Sequence, residues 1–271
     1  MFLEIDGAEG EGGGQILRSS LTMSAILEKP ILIKNIRAGR REPGLQAQHL
    51  TCVRAIAEIT SAEIDGDFLG SQKLVFIPHK IKPGKYFFDV AQIKPSAGSV
   101  SLVLQTILLP LAFAEDISKI TILGGTHVPL SPSVTYLQKV FLPVVMKFGL
   151  TANIRLNKWG WYPKGRGEIV SEIHPSKLYG INLLERGDLE DIEVISTVSN
   201  LPDSIAQRQQ NEAIRILQAN NIKASSQIVN APSIGQGTSV FIFINFDNSK
   251  AGFESLGAKG KRAEQVAKEA C

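Results

Sequence analysis

A glycine-rich segment near the N-terminus has the residue types of an anion-binding loop. Residues 6–18 read DGAEGEGGGQILR, with five glycines, two glutamates, a glutamine and an arginine between a short apolar strand and an amphipathic helix. Glycines before a helix let the backbone approach a ligand, and the helix start offers free N–H groups to an anion. The spacing fits neither common nucleotide fingerprint, since Gln15 stands where G-x-G-x-x-G needs its last glycine. A turn needed only for tight packing is the open alternative.

The carboxylates in this loop indicate a metal ion. A cradle for phosphate alone does not need them, and Glu11 beside a bound phosphate would repel it unless a divalent cation lay between the two. We therefore expect Glu11 to be a metal ligand, with Mg²⁺ or Mn²⁺ as the ion.

Arginines follow the loop at positions suited to phosphate binding. Arg18 lies three residues after Gln15 on the same predicted helix face, close to the glycine-rich helix start. Arg37, Arg40 and Arg41 follow the second predicted strand, at the strand end where ligands of α/β units usually bind. A guanidinium group grips a terminal phosphate bidentately. The alternatives are a surface ion pair for Arg18 and a solvated basic turn for the other three.

Three further polar residues lie on predicted helices. Gln48 and His49 open the second helix, and His49 falls on its apolar stripe, so a hydrogen-bonded core histidine is the ordinary interpretation. Gln105 stands among leucines of a later helix and would need a partner if it were buried. A nucleotide is one plausible partner.

Aromatic and cationic residues alternate in a short segment at 158–166. Lys158, Trp159, Trp161, Tyr162, Lys164 and Arg166 have the composition of a stacking platform for single-stranded RNA. A hairpin whose aromatic side chains pack on the core is an equal alternative.

The elements that position these residues occur twice. The first copy has predicted strands at 2–6, 31–36, 62–65 and 73–78 and helices at 14–27 and 45–60. The second has strands at 86–90, 119–123, 151–156 and 168–174 and helices at 97–114 and 133–148. Asp6 aligns with Asp89 and Gly39 with Gly124. Each unit is βαβαββ, which predicts a four-stranded sheet with two helices on one face.

The order of elements changes after Pro175. Strands near 191–196, 224–229 and 239–246 and helices near 203–220 and 262–271 predict a small β-α-β-β-α unit, with loops at 235–237 and 251–260. The expected fold is therefore α/β (α+β), with a large domain at 1–180, divided into repeats at about 1–80 and 81–180, and a small inserted domain at 181–271.

Composition narrows the class of protein without naming a function. The 271 residues are 44% hydrophobic and 20% charged, with a net charge of +3, which is ordinary for a globular chain. Neither a membrane span nor a signal peptide is predicted. Two cysteines, Cys52 and Cys271, give no disulfide framework, so we expect a cytoplasmic location and a buried free thiol at Cys52. Nothing in the sequence indicates an oligomeric state.

Several motifs in one order resemble those of a known family. They are DGAEGEGGGQILR at 6–18, IRAGR at 36–40, PGLQAQHL at 43–50, LGSQ at 69–72, LVLQT at 102–106, GGT at 124–126 and WYPKGRG at 161–167. Together they closely resemble the RNA 3'-terminal phosphate cyclase family. The resemblance extends along the whole chain.

The resemblance implies a ligase that uses ATP to convert an RNA 3'-phosphate into a 2',3'-cyclic phosphate, through enzyme–AMP and RNA-diphosphate-adenosine intermediates. It places Gln15 and Gln105 at ATP and Glu11 at a divalent metal. RNA with a 3'-phosphate end is the implied partner, and no membrane is involved. The residues implied at the RNA phosphate are Arg18, Arg37, Arg40 and Gln48; those implied in catalysis are Glu11, Arg18, Arg37, Arg40 and His49.

The sequence also departs from the family pattern. The family usually has glycine where Arg166 stands, and many members carry Asp or Asn where His127 stands. The family nucleophile is a histidine in a third repeat, after an Asp-Gln segment. The four histidines here are at 49, 79, 127 and 174, and no Asp-Gln pair occurs. We therefore expect this chain to lack that nucleophile, either as a fragment or as a natural member without the third repeat.

Two alternative functions stay open. One is a non-catalytic cyclase-like protein that binds RNA or assists ribosome assembly, although such relatives generally lack the intact EGEGGGQ segment. The other is an unrelated α/β transferase for a small phosphorylated metabolite, against which the basic aromatic segment argues mildly.

Overall fold

The computed structural model describes residues 2–271 and contains three four-stranded β-sheets, each mixed parallel and antiparallel. The predicted α/β class is confirmed, because helices and strands are interspersed along the chain. Among the described residues, no helix is both long and apolar enough to cross a membrane.

The first copy of the repeat forms the first sheet. Its strand order is β1-β2-β4-β3, with β1 parallel to β2 and β4 antiparallel to both of its neighbours. The elements are β1 (Leu3–Asp6), α1 (Gly14–Leu27), β2 (Ile31–Lys34), α2 (Ala47–Thr60), β3 (Glu63–Asp65) and β4 (Leu74–Ile77).

The second copy has the same topology, with the order β5-β6-β8-β7 and β5 parallel to β6. The elements are β5 (Lys85–Asp89), α3 (Val100–Ala112), β6 (Ser118–Gly124), α4 (Val134–Tyr136), a π-helical turn (Leu137–Phe141), α5 (Leu142–Met146), β7 (Thr151–Lys158) and β8 (Gly167–His174). The π-helical turn interrupts the predicted helix at 133–148. Pro143 follows it, and a proline cannot donate the helical hydrogen bond and clashes with the preceding turn.

Equivalent turns confirm the internal repeat. The Asp6 carboxylate accepts the N–H of Ala8 at 2.9 Å, and the Asp89 carboxylate accepts the N–H of Ala91 at 2.8 Å. The predicted equivalence of Asp6 and Asp89 is therefore correct.

The predicted equivalence of Gly39 and Gly124 is wrong. The strand registers pair Asp6 with Lys34 and Asp89 with Leu123, which makes Asn35 the counterpart of Gly124. The loop after β2 is irregular, and a constant sequence offset cannot account for such a loop.

The helices of the two copies share one hydrophobic core. The Thr22 hydroxyl of α1 donates to the carbonyl oxygen of Thr106 in α3 at 2.9 Å, which ties the copies together. Burying each large aliphatic side chain in such a core contributes about 1.5–3 kcal/mol. Cys52 is a buried free thiol, as predicted. Buried members from both copies include Leu17, Leu21, Ile33, Ile56, Phe76, Val103, Ile107, Ile122 and Ile169.

The third sheet belongs to the C-terminal segment and has the order β10-β9-β11-β12. Its elements are β9 (Leu189–Ser199), α6 (Asp203–Ala219), β10 (Ser225–Asn230), β11 (Gly237–Phe246), β12 (Lys250–Leu256) and α7 (Ala263–Ala270). This segment has a core of its own, which includes Val194, Val240 and Val266. A boundary between residues 180 and 181 stays a prediction.

The loop predicted at 251–260 is wrong, because β12 occupies Lys250–Leu256. Its residues lack the apolar alternation of a half-buried strand. Gly252 explains the difference: a Cβ there would lie 2.6 Å from the Phe241 ring and 2.8 Å from Val140 in the π-helical turn. Gly252 leaves room for the side chains of Phe241 and Val140. Hydrophobic periodicity does not reveal a strand residue of this kind, because glycine itself is not apolar enough to register.

The tip of the hairpin between β7 and β8, at residues 159–166, joins the second and third sheets. Trp161 is buried, and its ring packs directly on the backbone of Gly237 in β11. The N–H of Trp159 donates to the carbonyl oxygen of Pro232 at 2.8 Å. The core-packing interpretation of this hairpin is therefore confirmed for Trp161, which offers no free ring to RNA.

His127 lies under the same hairpin and is buried. Its ring stacks against Trp159 and tilts against Trp161, with ring centroids at 6.2 Å and 5.1 Å. Its two nitrogens lie 2.9 Å from the hydroxyls of Thr126 and Thr135. Burial lowers the pKa of His127 to about 3, so the ring is neutral.

Glu254 of β12 lies 4.0 Å from this ring, and its Oε1 has no hydrogen-bond partner among the described residues. Burial raises the pKa of Glu254 to about 7, although the hydroxyls of Ser133 and Ser239 offset part of that effect. The junction of the sheets therefore holds two titratable groups that both favour their neutral forms.

We predict that Glu254→Gln makes the protein more stable at alkaline pH. A carboxyl whose pKa rises from 4.5 to about 7 on folding contributes stability fully below the lower value and loses it as pH rises through the higher one. The variant should match the wild-type free energy of unfolding near pH 4.5 and exceed it by roughly 2–3 kcal/mol near about pH 8.5. Urea unfolding at both pH values measures this.

His127 gives the internal control, because its contribution has the opposite sign. It is present above pH 6.5 and is lost as pH falls toward about 3. Wild type and variant both keep His127, so its contribution cancels in the difference between them, and that difference reports Glu254. An equal difference between variant and wild type at both pH values would show that Glu254 does not change protonation on folding.

Candidate phosphate-binding site

Consecutive glycines, Gly12 to Gly14, lead into helix α1. Gly13 is the N-cap residue in an extended conformation, and no side chain accepts a hydrogen bond from the first helical N–H groups. Gly10 and Gly12 adopt left-handed conformations, with φ of 59° and 57°, that favour glycine. The loop thus turns tightly and leaves the helix start open to an anion.

Side chains from other elements crowd this glycine backbone. A Cβ on Gly14 would collide with Nε2 of His49 and would lie 2.9 Å from Nη1 of Arg18. A Cβ on Gly13 would lie 3.0 Å from Nη2 of Arg40. The sequence order separates these groups, and the fold brings them together at one helix start.

Arg18 is a buried cation, only 7% exposed. It donates to Oε1 of Gln15 at 2.9 Å, so the two residues share a helix face as predicted. Its Nε has no partner among the described residues, and burial lowers the pKa of its guanidinium. An ion pair of Arg18 with a surface glutamate, the alternative considered for it, does not occur among residues 2–271, because Glu11 instead contacts Arg40 at 3.3 Å.

Arg37 is held in a strained backbone conformation, with φ of 52°. Its Nη1 donates to the carbonyl oxygens of Glu42 and Gly44, both at 2.7 Å, which fixes the guanidinium beside the loop. Its pKa is lowered first by burial and then by the neighbouring charge of Arg40, while Glu42 raises it. Two like charges held together in this way favour an anion between them.

His49 is a neutral hydrogen-bond donor at this site. The N–H of Gln46 donates to Nδ1 of His49 at 3.1 Å, which assigns the ring proton to Nε2, the atom that faces Gly14. Burial, then the charges of Arg37 and Arg18, lower the pKa of His49 to about 3. The ring therefore offers an N–H toward the helix start at ordinary pH.

Gln48 connects the two repeats. Its side-chain oxygen accepts the N–H of Ser99, the N-cap residue of α3, at 2.6 Å. Only its amide NH₂ is left for a ligand. If Gln48 binds the phosphate as predicted, the same side chain also has a structural role, since it holds the start of α3.

Two cavities open beside Arg18, with volumes of about 440 Å³ and about 290 Å³. Gln15, Arg18 and Gln105 line both of them together with apolar side chains such as Leu108 and Phe141. Gln105 is exposed, so the concern that it would be buried among leucines without a partner does not apply.

Comparison with known proteins finds matches along the chain. The profile of the RNA 3'-terminal phosphate cyclase family matches residues 9–256. An RNA 3'-terminal phosphate cyclase of Nostoc punctiforme is 48% identical over 274 residues, which cover all of this chain and 79% of that relative. The chain belongs to the RNA 3'-terminal phosphate cyclase family. Relatives with the same name from Trichormus variabilis, at 46% identity, and Sulfurisphaera tokodaii, at 47%, match equally broadly.

The metal site predicted for this cyclase-family chain rests on one carboxylate. Glu11 has a side chain that is 93% exposed, and residues 2–271 hold no group of three histidine, cysteine or acidic side chains suited to a metal. A Mg²⁺ or Mn²⁺ ion commonly takes one or two carboxylates and completes its shell with phosphate oxygens and water. Glu11 fits such a site but does not form one alone.

Sequence reasoning missed two residues of this cyclase-family site. Gln46 fixes the tautomer of His49 through its backbone N–H, in a helix-capping arrangement whose usual signature has Ser or Thr followed by Glu or Gln. Ser101 lines the smaller cavity, and its buried hydroxyl has no partner among the described residues. Its position one turn before Gln105 was the only signal that could have found it.

Gly14→Ala should weaken phosphate binding at this site. The added methyl group must displace the ring of His49 and the guanidinium group of Arg18, and both side chains are buried with little room to move. We expect a loss of stability of about 1–3 kcal/mol and weaker binding of an RNA 3'-phosphate. Gly39→Ala is the matched control in the neighbouring loop, because a Cβ there meets nothing within 4 Å. Thermal unfolding and a binding titration measure the two effects; equal behaviour of both variants would contradict the packing argument.

Proposed function

We propose that this protein is an ATP-dependent RNA 3'-terminal phosphate cyclase, which converts an RNA 3'-phosphate into a 2',3'-cyclic phosphate. The observation that carries the proposal is the convergence of Arg18 and Arg40 on the open start of α1, beside neutral His49, with Arg37 near enough for its charge to lower the pKa of His49. A terminal phosphate carries more negative charge than an internal phosphodiester. A cluster of guanidinium groups at one point therefore selects the end of an RNA strand.

The proposed reaction has three displacement steps. In the first step a histidine nitrogen attacks the α-phosphorus of ATP, and pyrophosphate leaves; residues 1–271 hold no counterpart of the histidine that the family uses, so this step is proposed for a protein that also has the third repeat. An oxygen of the RNA 3'-phosphate then attacks the phosphorus of the bound AMP and displaces the histidine, which gives the RNA-diphosphate-adenosine. Finally the neighbouring 2'-OH attacks the 3'-phosphorus and expels AMP, and its proton passes to solvent or a base.

The arginines are assigned to the RNA 3'-phosphate. Arg37 has one guanidinium nitrogen occupied by carbonyl oxygens, and its remaining N–H groups are free to bind an anion. Arg40 already holds a carboxylate, that of Glu11, in a weak exposed ion pair that a phosphate can replace. Guanidinium groups here would stabilise charge that develops on the phosphates during displacement.

ATP is assigned to the cavities lined by Gln15, Arg18 and Gln105. Their apolar walls suit a base, and the exposed amide of Gln105 can hydrogen-bond a base edge. Arg18 lies at the boundary between these cavities and the helix start, within reach of the phosphates of both substrates.

His49 is assigned as a hydrogen-bond donor to a phosphate oxygen and not as the nucleophile. A nucleophilic nitrogen needs a free lone pair, and in the assigned tautomer Nε2 keeps its proton while Nδ1 accepts from Gln46. Its catalytic role is therefore to stabilise charge on a reacting phosphate.

Arg37→Ala and Arg40→Ala should reduce the discrimination between RNA ends. Each should weaken binding of a 3'-phosphorylated oligonucleotide by about 1.5–3 kcal/mol, and binding of the 3'-OH form by less, since a charge-assisted contact is lost only in the first. Fluorescence anisotropy with both oligonucleotides measures this, and Arg41→Ala in the same loop is the control. Equal losses for both ends would indicate a protein that binds the RNA backbone generally, which favours the non-catalytic alternative.

Glu11→Ala should remove the metal dependence of nucleotide binding. When bound, a divalent ion would offset charge on the phosphates, with Glu11 as its protein ligand. ATP affinity, measured by calorimetry over a Mn²⁺ titration, should rise with metal in the wild type and much less in the variant. Glu9→Ala, in the same exposed loop, should behave as the wild type. A variant whose ATP affinity still follows the metal concentration would refute this role of Glu11.

A further inference from the structure

A continuous surface leads from the arginine cluster to the tip of the β7–β8 hairpin. Next to His49, Gln48 packs on the loop before α3, where a Cβ on Gly98 would lie 3.0 Å from Cβ of Gln48. In that loop, Ala97 packs on the hairpin tip, because a Cβ on Gly165 would lie 2.9 Å from the Cα of Ala97. The hairpin tip is therefore adjacent to the phosphate site through two direct contacts.

Exposed cations lie along this surface. Nζ of Lys94 lies 3.4 Å from Oε1 of Gln46, the residue that orients His49, and forms no ion pair within residues 2–271. Arg166 follows Gly165 at the hairpin tip. Its guanidinium is 54% exposed and reaches Asp89 only at 3.7 Å. The long contact of Arg166 is weak and Lys94 has no acidic partner within residues 2–271, so both cations can accept another anion.

The backbone at Arg166 is strained. Its φ is 58°, directly after Gly165 with φ of 63°, and a glycine would adopt this conformation without cost. The weak contact with Asp89 does not compensate for that strain. An arginine in this left-handed conformation, where glycine would be unstrained, leads us to look for a ligand of its exposed side chain.

We propose that Lys94 and Arg166 bind the phosphodiester backbone of the RNA segment upstream of the two 3'-terminal nucleotides, with Tyr162 as a stacking surface for a base. Tyr162 is 68% exposed at the hairpin tip, unlike the buried Trp161. Exposed rings and cations in one path are the chemistry that holds single strands without reading their sequence. This inference rests on the proposed function, because the path is useful only if the strand ends at the arginine cluster.

Oligonucleotides of two lengths test the path. A dinucleotide and a decanucleotide, each with a 3'-phosphate, are titrated against Arg166→Gly and Lys94→Ala variants of the full chain. Each variant should bind the decanucleotide roughly three- to tenfold more weakly and lower its salt slope by about 1, with dinucleotide affinity unchanged. Arg166→Gly relieves backbone strain, so misfolding does not confuse the result. Lys80→Ala is the control, since Lys80 pairs with Glu115 beyond the C-terminal ends of β4 and α3.

The outcomes separate this inference from the proposed function. If both variants bind the decanucleotide as the wild type does while the 3'-phosphate is still preferred over a 3'-OH, the path is refuted and the proposed function stands. If the wild type shows no preference for a 3'-phosphate at either length, the proposed function itself fails. Equal losses with the dinucleotide would place Arg166 and Lys94 in the end-binding site and overturn the assignment to upstream phosphates.

Discussion

Concentrated positive charge at a glycine helix start is the constraint on which the rest of the site depends. Arg18 is buried with an unpartnered nitrogen, and burial disfavours its charged form. Burial likewise lowers the pKa of Arg37, and the charge of the nearby Arg40 lowers it further. An anion at this point would relieve both the desolvation and the repulsion. Burial, and after it the charges of Arg37 and Arg18, lower the pKa of His49, so its neutral ring acts as a donor.

Sequence patterns predicted helix α1 well, because two signals were strong: the glycine run at its start and the apolar stripe along its length. The bounds of α1 at 14–27 agree with the structure, since a glycine run marks its start and an apolar stripe marks its length. Gln15 and Arg18 share a face because helix geometry alone requires it. The strand β12 could not be predicted, because Gly252 serves the packing of Phe241 and carries no apolar signal itself.

The geometry of the site was predictable only in part. Residue types indicated phosphate binding, and the resemblance to the cyclase family selected which residues to consider. Neither source could show that Gln46 fixes the tautomer of His49, since that contact depends on the backbone at the start of α2. Composition left two interpretations of the hairpin at 159–166 open. Trp161 packs against Gly237, a residue far away in sequence, whereas the neighbouring Tyr162 is exposed.

Duplication of the βαβαββ unit produced two strand–helix loops of one topology, yet they differ in what their helix starts can bind. In the second copy, Gln48 already accepts the N–H of Ser99, and the N–H of Val100 donates to Gly125. In the first copy, no side chain caps α1, so the equivalent groups stay free. The Gln48 side chain and the Gly125 carbonyl thus occupy N–H groups at the start of α3, while Gln48 also holds the second copy against the first. This asymmetry between the copies is why we propose the phosphate site at the start of α1.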